Sequence, residues 1–245
     1  MVDLLAVAPH PDDAELGCGG TLARLASMGY KVGVVDLTEG ESGTRGVPEV
    51  RHAEKERASR VLGLALREGL GLPDTALARS DRGQLEKLVR AFRLHRPQVV
   101  LAPHWADLHP DHVEAAYLTA GAFFLAGVSK FGSGAAPFRP AALAYYPGRL
   151  EFEPSFIVDI SAQFETKMEA IDCYLSQFSM RAPEEPATDI AHPHFLEKIR
   201  ARARHYGLMV GVEYGEPFFI ERPLMLSDPL TILTPKGRGG SGSPE

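Results

Sequence analysis

The chain has 245 residues, 44% of them hydrophobic and 24% charged, with a formal net charge of −6 at pH 7. Such a composition suits a globular domain with a sizeable core, and its acidity argues against a general nucleic-acid binder, which needs a basic surface to neutralise phosphates. The apolar runs are too short to span a bilayer, Asp3 interrupts any signal-peptide pattern, and Cys18 and Cys173 are the only cysteines, so a cytoplasmic protein with no disulfide framework is expected.

Asp3 to Ala8 reads as a buried first strand, Gly19 to Met28 as a helix ended by Gly29, and Lys31 to Leu37 as a second strand. Strand, crossover helix and strand make a parallel βαβ unit. Between the first strand and helix lies Pro9-His10-Pro11-Asp12-Asp13-Ala14-Glu15. The carboxyl end of a strand is where open α/β sheets form their crevices. An imidazole and several carboxylates crowded there are costly unless a divalent cation neutralises them; the plainer alternative is helix capping by aspartate. Gly17, Gly19 and Gly20 are expected to turn the chain into the helix. They do not complete G-x-G-x-x-G, because Thr21 and Leu22 follow, and Asp12, Asp13 and Glu15 would repel a pyrophosphate. Asp36 is then a strand-end residue and not a ribose ligand. Cys18 is near enough to be a metal-ligand candidate but reads better as a small buried thiol.

Thr38 to Val50 forms a long polar loop, the kind that carries function in a compact domain. Arg45 and Arg51 are candidates to point into the crevice, with surface pairing to Glu54 or Glu56 the plainer alternative for either, and Arg51 starts a helix that runs to Leu62. A third strand, Leu66 to Leu70, a helix from Ser80 to Leu94 capped by Ser80 or Asp81, and a strand from Gln98 to Ala102 follow. Asp74 and Arg79, in the loop before that helix, have no spacing that decides a role. The strand delivers a second cluster, Pro103-His104-Trp105-Ala106-Asp107-Leu108-His109-Pro110-Asp111-His112. Pro110 favours a helix opening there, and three-residue spacing puts His109 and His112 on one face.

The helix continues through Val113 to Leu125. Strands are predicted at Ala141 to Tyr146 and Phe156 to Ile160, and a helix from Ser161 to Tyr174. Ala182 to Pro193 reads as an irregular lid or loop, and His192 and His194 at its end are candidates to border the site, with surface positions the plainer alternative. On a helix from Phe195 to Tyr206, Lys198, Arg200, Arg202 and Arg204 are two apart and spread around the axis, which predicts a solvated or interface face and no anion patch. Short strands at Phe218 to Ile220 and Leu224 to Leu226 precede a Gly/Ser/Pro tail, 235–245, expected to be disordered. One α/β domain, 1–234, is predicted: three-layer and Rossmann-like, with a mostly parallel central sheet.

His10, Asp13 and His112 offer two imidazoles and a carboxylate, a set suited to catalytic zinc with an open position. Zinc acidifies water and polarises a carbonyl, which makes the chain a candidate hydrolase. Asp12 would then take the water's proton as general base. His109 would stabilise the oxyanion or protonate the leaving nitrogen, its ring held by Asp111. Non-haem iron oxygenases share the ligand set, but the βαβ opening does not suggest them.

On these motifs the chain resembles the LmbE/PIG-L family of zinc-dependent N-acetylglucosamine deacetylases. The family's A-H-P-D-D-E appears at Pro9 to Glu15, with Pro for the leading Ala and an inserted Ala14; its H-P-D-H is intact at His109 to His112. The resemblance implies zinc on His10, Asp13 and His112, Asp12 as base, His109 at the oxyanion with Asp111 behind it, and a homo-oligomer. Within the family, Thr38 to Gly46, Tyr174-Leu175-Ser176-Gln177-Phe178, Phe195-Leu196-Glu197 and Gly211 to Phe218 are similar to the bacillithiol-biosynthesis deacetylases, which act on N-acetylglucosaminyl-malate. That likeness implies an acidic aglycone held by Arg51 and Arg45, with His194 where the subgroup often has tyrosine. Other N-acetylglucosamine conjugates or chitooligosaccharides are the alternative substrates, and a non-catalytic metal-dependent sugar- or nucleotide-binding module is the more distant reading.

Overall fold

A computed structural model describes residues 1–132, 134–178, 188–225 and 227. Its elements in order are β1 (Leu4–Ala8), α1 (Asp13–Ser27), β2 (Val32–Asp36), α2 (Pro48–Leu62), β3 (Leu66–Gly69), α3 (Arg82–His95), β4 (Val99–Pro103), α4 (Pro110–Leu125), β5 (Ala142–Tyr146), β6 (Phe156–Asp159), α5 (Phe164–Asp172), α6 (Leu175–Phe178), α7 (Pro193–Val210) and β7 (Gly215–Phe218). The first five strands form one parallel sheet in the order β3-β2-β1-β4-β5. β6 and β7 pair antiparallel, and a bridge from Tyr145 to Phe219 ties them to the end of β5.

Both faces of the sheet are covered, which is why its strands read as continuous apolar runs. Leu4, Ala6 and Ala8 pack with Leu22, Leu62, Met168 and Ile199 from α1, α2, α5 and α7. Leu5 and Val7 pack on the other face with Leu88, Phe92 and Leu118 of α3 and α4. The α/β class and parallel sheet are as expected.

Helix α1 departs from expectation. It starts at Asp13, ahead of the glycines, and its backbone breaks at Cys18, where φ is −142°. Beyond the break, Glu216 of β7 accepts from the Gly20 and Thr21 amides at 2.9 and 2.7 Å, capping the second half of the helix. The glycines therefore do not turn the chain: they let α1 approach its neighbours. A Cβ on Gly17 would meet the Tyr146 ring at 2.1 Å, and one on Gly20 would meet Ile160 Cδ1 at 2.7 Å. Cys18 is fully buried in the core. Asp36 takes a two-pronged bond from Arg67, at 2.8 and 2.9 Å.

Other differences are local. Helix α7 extends at both ends, and Leu224 and Met225 are outside any strand. Half of the predicted lid, 182–187, and the tail 235–245 lie outside the described residues.

The strand order positions the site. From β1 the chain steps outward to β2 and β3, then returns to add β4 and β5 on the other side of β1. The loops leaving β1 and β4 thus diverge, opening a crevice beyond the carboxyl ends of two adjacent strands.

Candidate active site

The β1–α1 loop and the start of α4 meet in this crevice. His10 Nδ1 lies 3.1 Å from Asp13 Oδ2, and His112 Nε2 lies 3.3 Å from the same oxygen. These three residues form one of the two groups in the described structure that could hold a metal ion. Zinc ligated at about 2.0–2.2 Å would hold tetrahedral donors about 3.3–3.6 Å apart, so the donor atoms need only small adjustments.

What surrounds them also fits a cation. His10 Nε2 faces Asp74 Oδ1 at 3.1 Å and Asp111 Oδ2 at 3.3 Å. His112 Nδ1 lies 3.3 Å from Asp107 Oδ2, at an angle short of a full hydrogen bond. Each imidazole thus has a carboxylate at the nitrogen opposite Asp13, the arrangement that fixes the tautomer of a metal ligand. Without a cation, protons balance these carboxylates. Burial opposes charge on His10, but hydrogen bonds with Asp111, Asp13 and Asp74 outweigh it and push its pKa up to about 12. His112 is pushed up to about 9, with burial again opposing and the Asp13 charge prevailing.

Asp12, the expected base, is buried in a left-handed backbone conformation, φ 115° and ψ −26°. Burial pushes its carboxyl up to about 7 against the pull of Arg51. Arg51 is itself buried, donating from Nη2 to the Pro11 carbonyl at 2.7 Å and lying 3.5 Å from Asp12 Oδ2. Its Nη1 reaches the Gly40 carbonyl at 3.4 Å. These partners make Arg51 the clamp of the Asp12 turn.

His109 is the N-cap of α4, and its Nδ1 accepts from the Asp111 backbone amide at 3.2 Å. The neutral ring must then carry its proton on Nε2. The Asp111 carboxylate does not hold this ring as expected. Its oxygens accept from the Thr75 and Leu77 amides, at 2.7 and 3.3 Å, and face His10. The short peptide link between the two residues lets the backbone amide, but not the side chain, reach the imidazole.

His10, Asp12, Asp13, Arg51, His109 and His112 share a cavity of about 710 Å³. Two expected substrate-binding residues are elsewhere. Arg45 is buried beneath the loop, its carbonyl taken by Gln177 at 2.8 Å, and it does not line the cavity. His194 is exposed beside Glu197 at 3.1 Å and is not on the cavity wall. His104 leaves the cluster to stack on Trp105 and Phe152, with ring centroids 4.1 and 4.5 Å away.

Sequence reasoning gave no role to Asp74 or Asp107. Asp74 comes from the β3–α3 loop, which no motif links to β1; hydrogen bonding to His10 overcomes its burial and holds its carboxyl down at about 2. Asp107 accepts from the His109 and Arg149 amides, at 2.9 and 2.8 Å. Its place two residues before His109 was the available signal. Glu15, fully buried, accepts from Arg67 at 2.5 Å and from the Tyr174 hydroxyl at 2.9 Å, bracing the first turn of α1.

Comparison with known proteins matches residues 5–123 to the family model "GlcNAc-PI de-N-acetylase", PIG-L. The chain is 32% identical over 228 residues to the diacetylchitobiose deacetylase of Thermococcus kodakarensis, covering 87% of this chain and 80% of that protein. The chain belongs to the PIG-L family. Among solved structures, the conserved protein TT1542 from Thermus thermophilus is 46% identical with a TM-score of 0.85, over 92% of this chain and 97% of the other. The N,N'-diacetylchitobiose deacetylase of Pyrococcus horikoshii is 30% identical with a TM-score of 0.76, over 89% and 82%. The PIG-L match spans both site-forming loops, from β1 to α4.

Proposed function

We propose that this PIG-L family protein is a metal-dependent N-deacetylase of N-acetylglucosamine conjugates, with N-acetylglucosaminyl-malate as its substrate. The observation that carries the reading is Asp12, a strained and buried carboxyl adjoining the His10, Asp13 and His112 donors. A divalent ion held by those three, zinc in this reading, supplies a Lewis acid that acidifies water and polarises the amide carbonyl.

Asp12 accepts a proton from the attacking water as oxygen bonds to the acetyl carbon. Its carboxyl, held near 7, suits proton transfer in both directions at neutral pH. His109, with its Nδ1 taken, offers Nε2–H to the developing oxyanion. The C–N bond then breaks, the proton on Asp12 passes to the departing nitrogen, and acetate and a free amine result.

The stretches Thr38 to Gly46, Tyr174 to Phe178 and Gly211 to Phe218 support the malate conjugate. Similarity to the two diacetylchitobiose deacetylases supports a second reading, a chitooligosaccharide substrate. Free-amine release from N-acetylglucosaminyl-malate, diacetylchitobiose and a simple methyl glycoside, with chelator and with added zinc, separates them. The malate conjugate should give the highest kcat/KM. No amine from any of them would favour a binding module. A homo-oligomer acting on a small molecule, not on nucleic acid or membranes, belongs to the same proposal. The net charge of −6 supports excluding nucleic acid, and sedimentation velocity tests the assembly. No helix among the described residues is long and apolar enough to cross a membrane.

A further inference from the structure

The basic residues of α7 do not spread evenly. Arg200 and Arg204 face outward, pairing with Glu165 at 3.8 Å and Glu213 at 3.1 Å. Lys198, Arg202 and His205 follow helical spacing of four and three residues, and all three line the catalytic cavity. Sequence spacing alone concealed this, because alternate positions on a helix fall on opposite faces.

Arg202 is held at the heart of the site. Its Nη1 donates to the Gly148 carbonyl at 2.7 Å and its Nη2 to the Leu16 carbonyl at 3.0 Å. Leu16 lies in the helical turn that carries Asp13, and Gly148 packs against Asp107 and His112. The guanidinium is thus fixed to both halves of the site by neutral carbonyls. Among the described residues no carboxylate lies within ion-pair distance of Arg202 or of Lys198. Burial of the half-buried guanidinium lowers its pKa and outweighs Glu216, Glu151 and Asp107, which act on it only from beyond ion-pair distance.

The cavity wall near this helix adds to the positive charge. Arg149, in the loop after β5, lines the same cavity and reaches Asp189 only loosely, at 3.6 Å. Glu151 is the acidic group of the cavity wall on that loop; Asp12, Asp13 and Asp74 belong to the metal-binding end. In a chain with net charge −6, one face of one helix sets Arg202 and Lys198 beside the reaction centre with no carboxylate in ion-pair contact among the described residues.

We propose that Arg202, Lys198 and His205 form an anion subsite that binds a carboxylate or phosphate on the aglycone of the substrate. The assignment rests on the N-deacetylase reading and names the part of the substrate that reading left to Arg45 and Arg51. Arg51 is taken up in clamping the Asp12 turn, and Arg45 does not line the cavity. Arg202 supplies a rigid forked donor, while Lys198 and His205, exposed on the same face, close on the anion from either side.

Lys198→Gln, His205→Gln and the double variant change exposed side chains and should fold. Arg202→Lys keeps the charge but loses the fork. The measurements are KM and kcat for N-acetylglucosaminyl-malate, N-acetylglucosamine 1-phosphate and neutral diacetylchitobiose, with binding of the same compounds by calorimetry. The wild type should prefer one or both anionic compounds, and raising salt should erode that preference. Whichever of malate and phosphate shows it identifies the anion. In the double variant the ratio of anionic to neutral kcat/KM should fall at least about tenfold, through KM. Equal losses on anionic and neutral compounds, or a wild type that binds them alike, would overturn the subsite. If no compound releases amine yet the anionic ones still bind through Lys198 and Arg202, the deacetylase reading fails and the subsite stands.

Discussion

Asp12 holds a conformation that residues other than glycine rarely adopt, at a cost of about 1–3 kcal/mol. Arg51 keeps it there by gripping the Pro11 carbonyl next to it. Asp12→Asn preserves the shape and leaves the His10, Asp13 and His112 donors in place. It should therefore retain zinc at unchanged stoichiometry while kcat falls by about 10²–10⁴-fold. Turnover within a few-fold of wild type would remove Asp12 as base. Arg51 is buried against the loop, so Arg51→Ala should lower kcat on neutral and acidic conjugates alike, by about tenfold or more through a displaced base. A loss confined to the acidic conjugate would restore carboxylate recognition to Arg51. The candidate metal donors and the candidate base stand out in the sequence because each cluster is local and chemically dense. Asp74 was not, because its contact with His10 spans 64 residues and comes from a loop with no pattern of its own.

Among the elements, α1 shows how a reading of residue types can be right about place and wrong about cause. Gly17 and Gly20 face ring and side-chain atoms of Tyr146 and Ile160, both at most 1% exposed. Gly19 faces Cγ of Lys167 at an ordinary 3.5 Å. Gly17→Ala should thus cost about 1–3 kcal/mol by overpacking, lowering Tm by about 2–4 °C per kcal/mol. Gly19→Ala should leave Tm level or slightly higher, since alanine favours helix. If thermal melts gave the two variants equal losses, the glycines would matter for backbone freedom and not for close approach. Helix α7 is the converse case. The sequence located a helix there, but which face meets the cavity depends on how α7 packs against β6 and β7, and no local signal encodes that.

Taken as a whole, the molecule joins chain segments 101 residues apart at the switch point of its sheet, and the joint is a knot of carboxylates and imidazoles. The carboxylates crowded between the β1 and β4 loops need positive charge among them. In metal-free protein that is the proton load on His10 and His112. Their folded pKa values lie above the ordinary 6.5, so the stability they contribute is fully present below about 6.5 and is lost as pH rises, through about 9 for His112 and about 12 for His10. Asp13, Asp74, Asp107 and Asp111 are shifted the other way: opposed by burial but lowered by His10 and His112, they contribute stability above about 3.8 that is lost on acidification. Metal-free protein should therefore melt highest between about pH 4 and 6.5. In the proposed metal complex zinc would compete with those protons for the imidazoles, so it would bind more tightly as pH rises and stabilise the native state by mass action. The Tm difference between zinc-loaded and chelator-treated protein should widen steadily from pH 6 to pH 9. Both forms should melt in a single transition, because the ion ties together two loops of one sheet. A difference that stayed constant across that range would mean that the imidazoles are not the ligands that hold the metal.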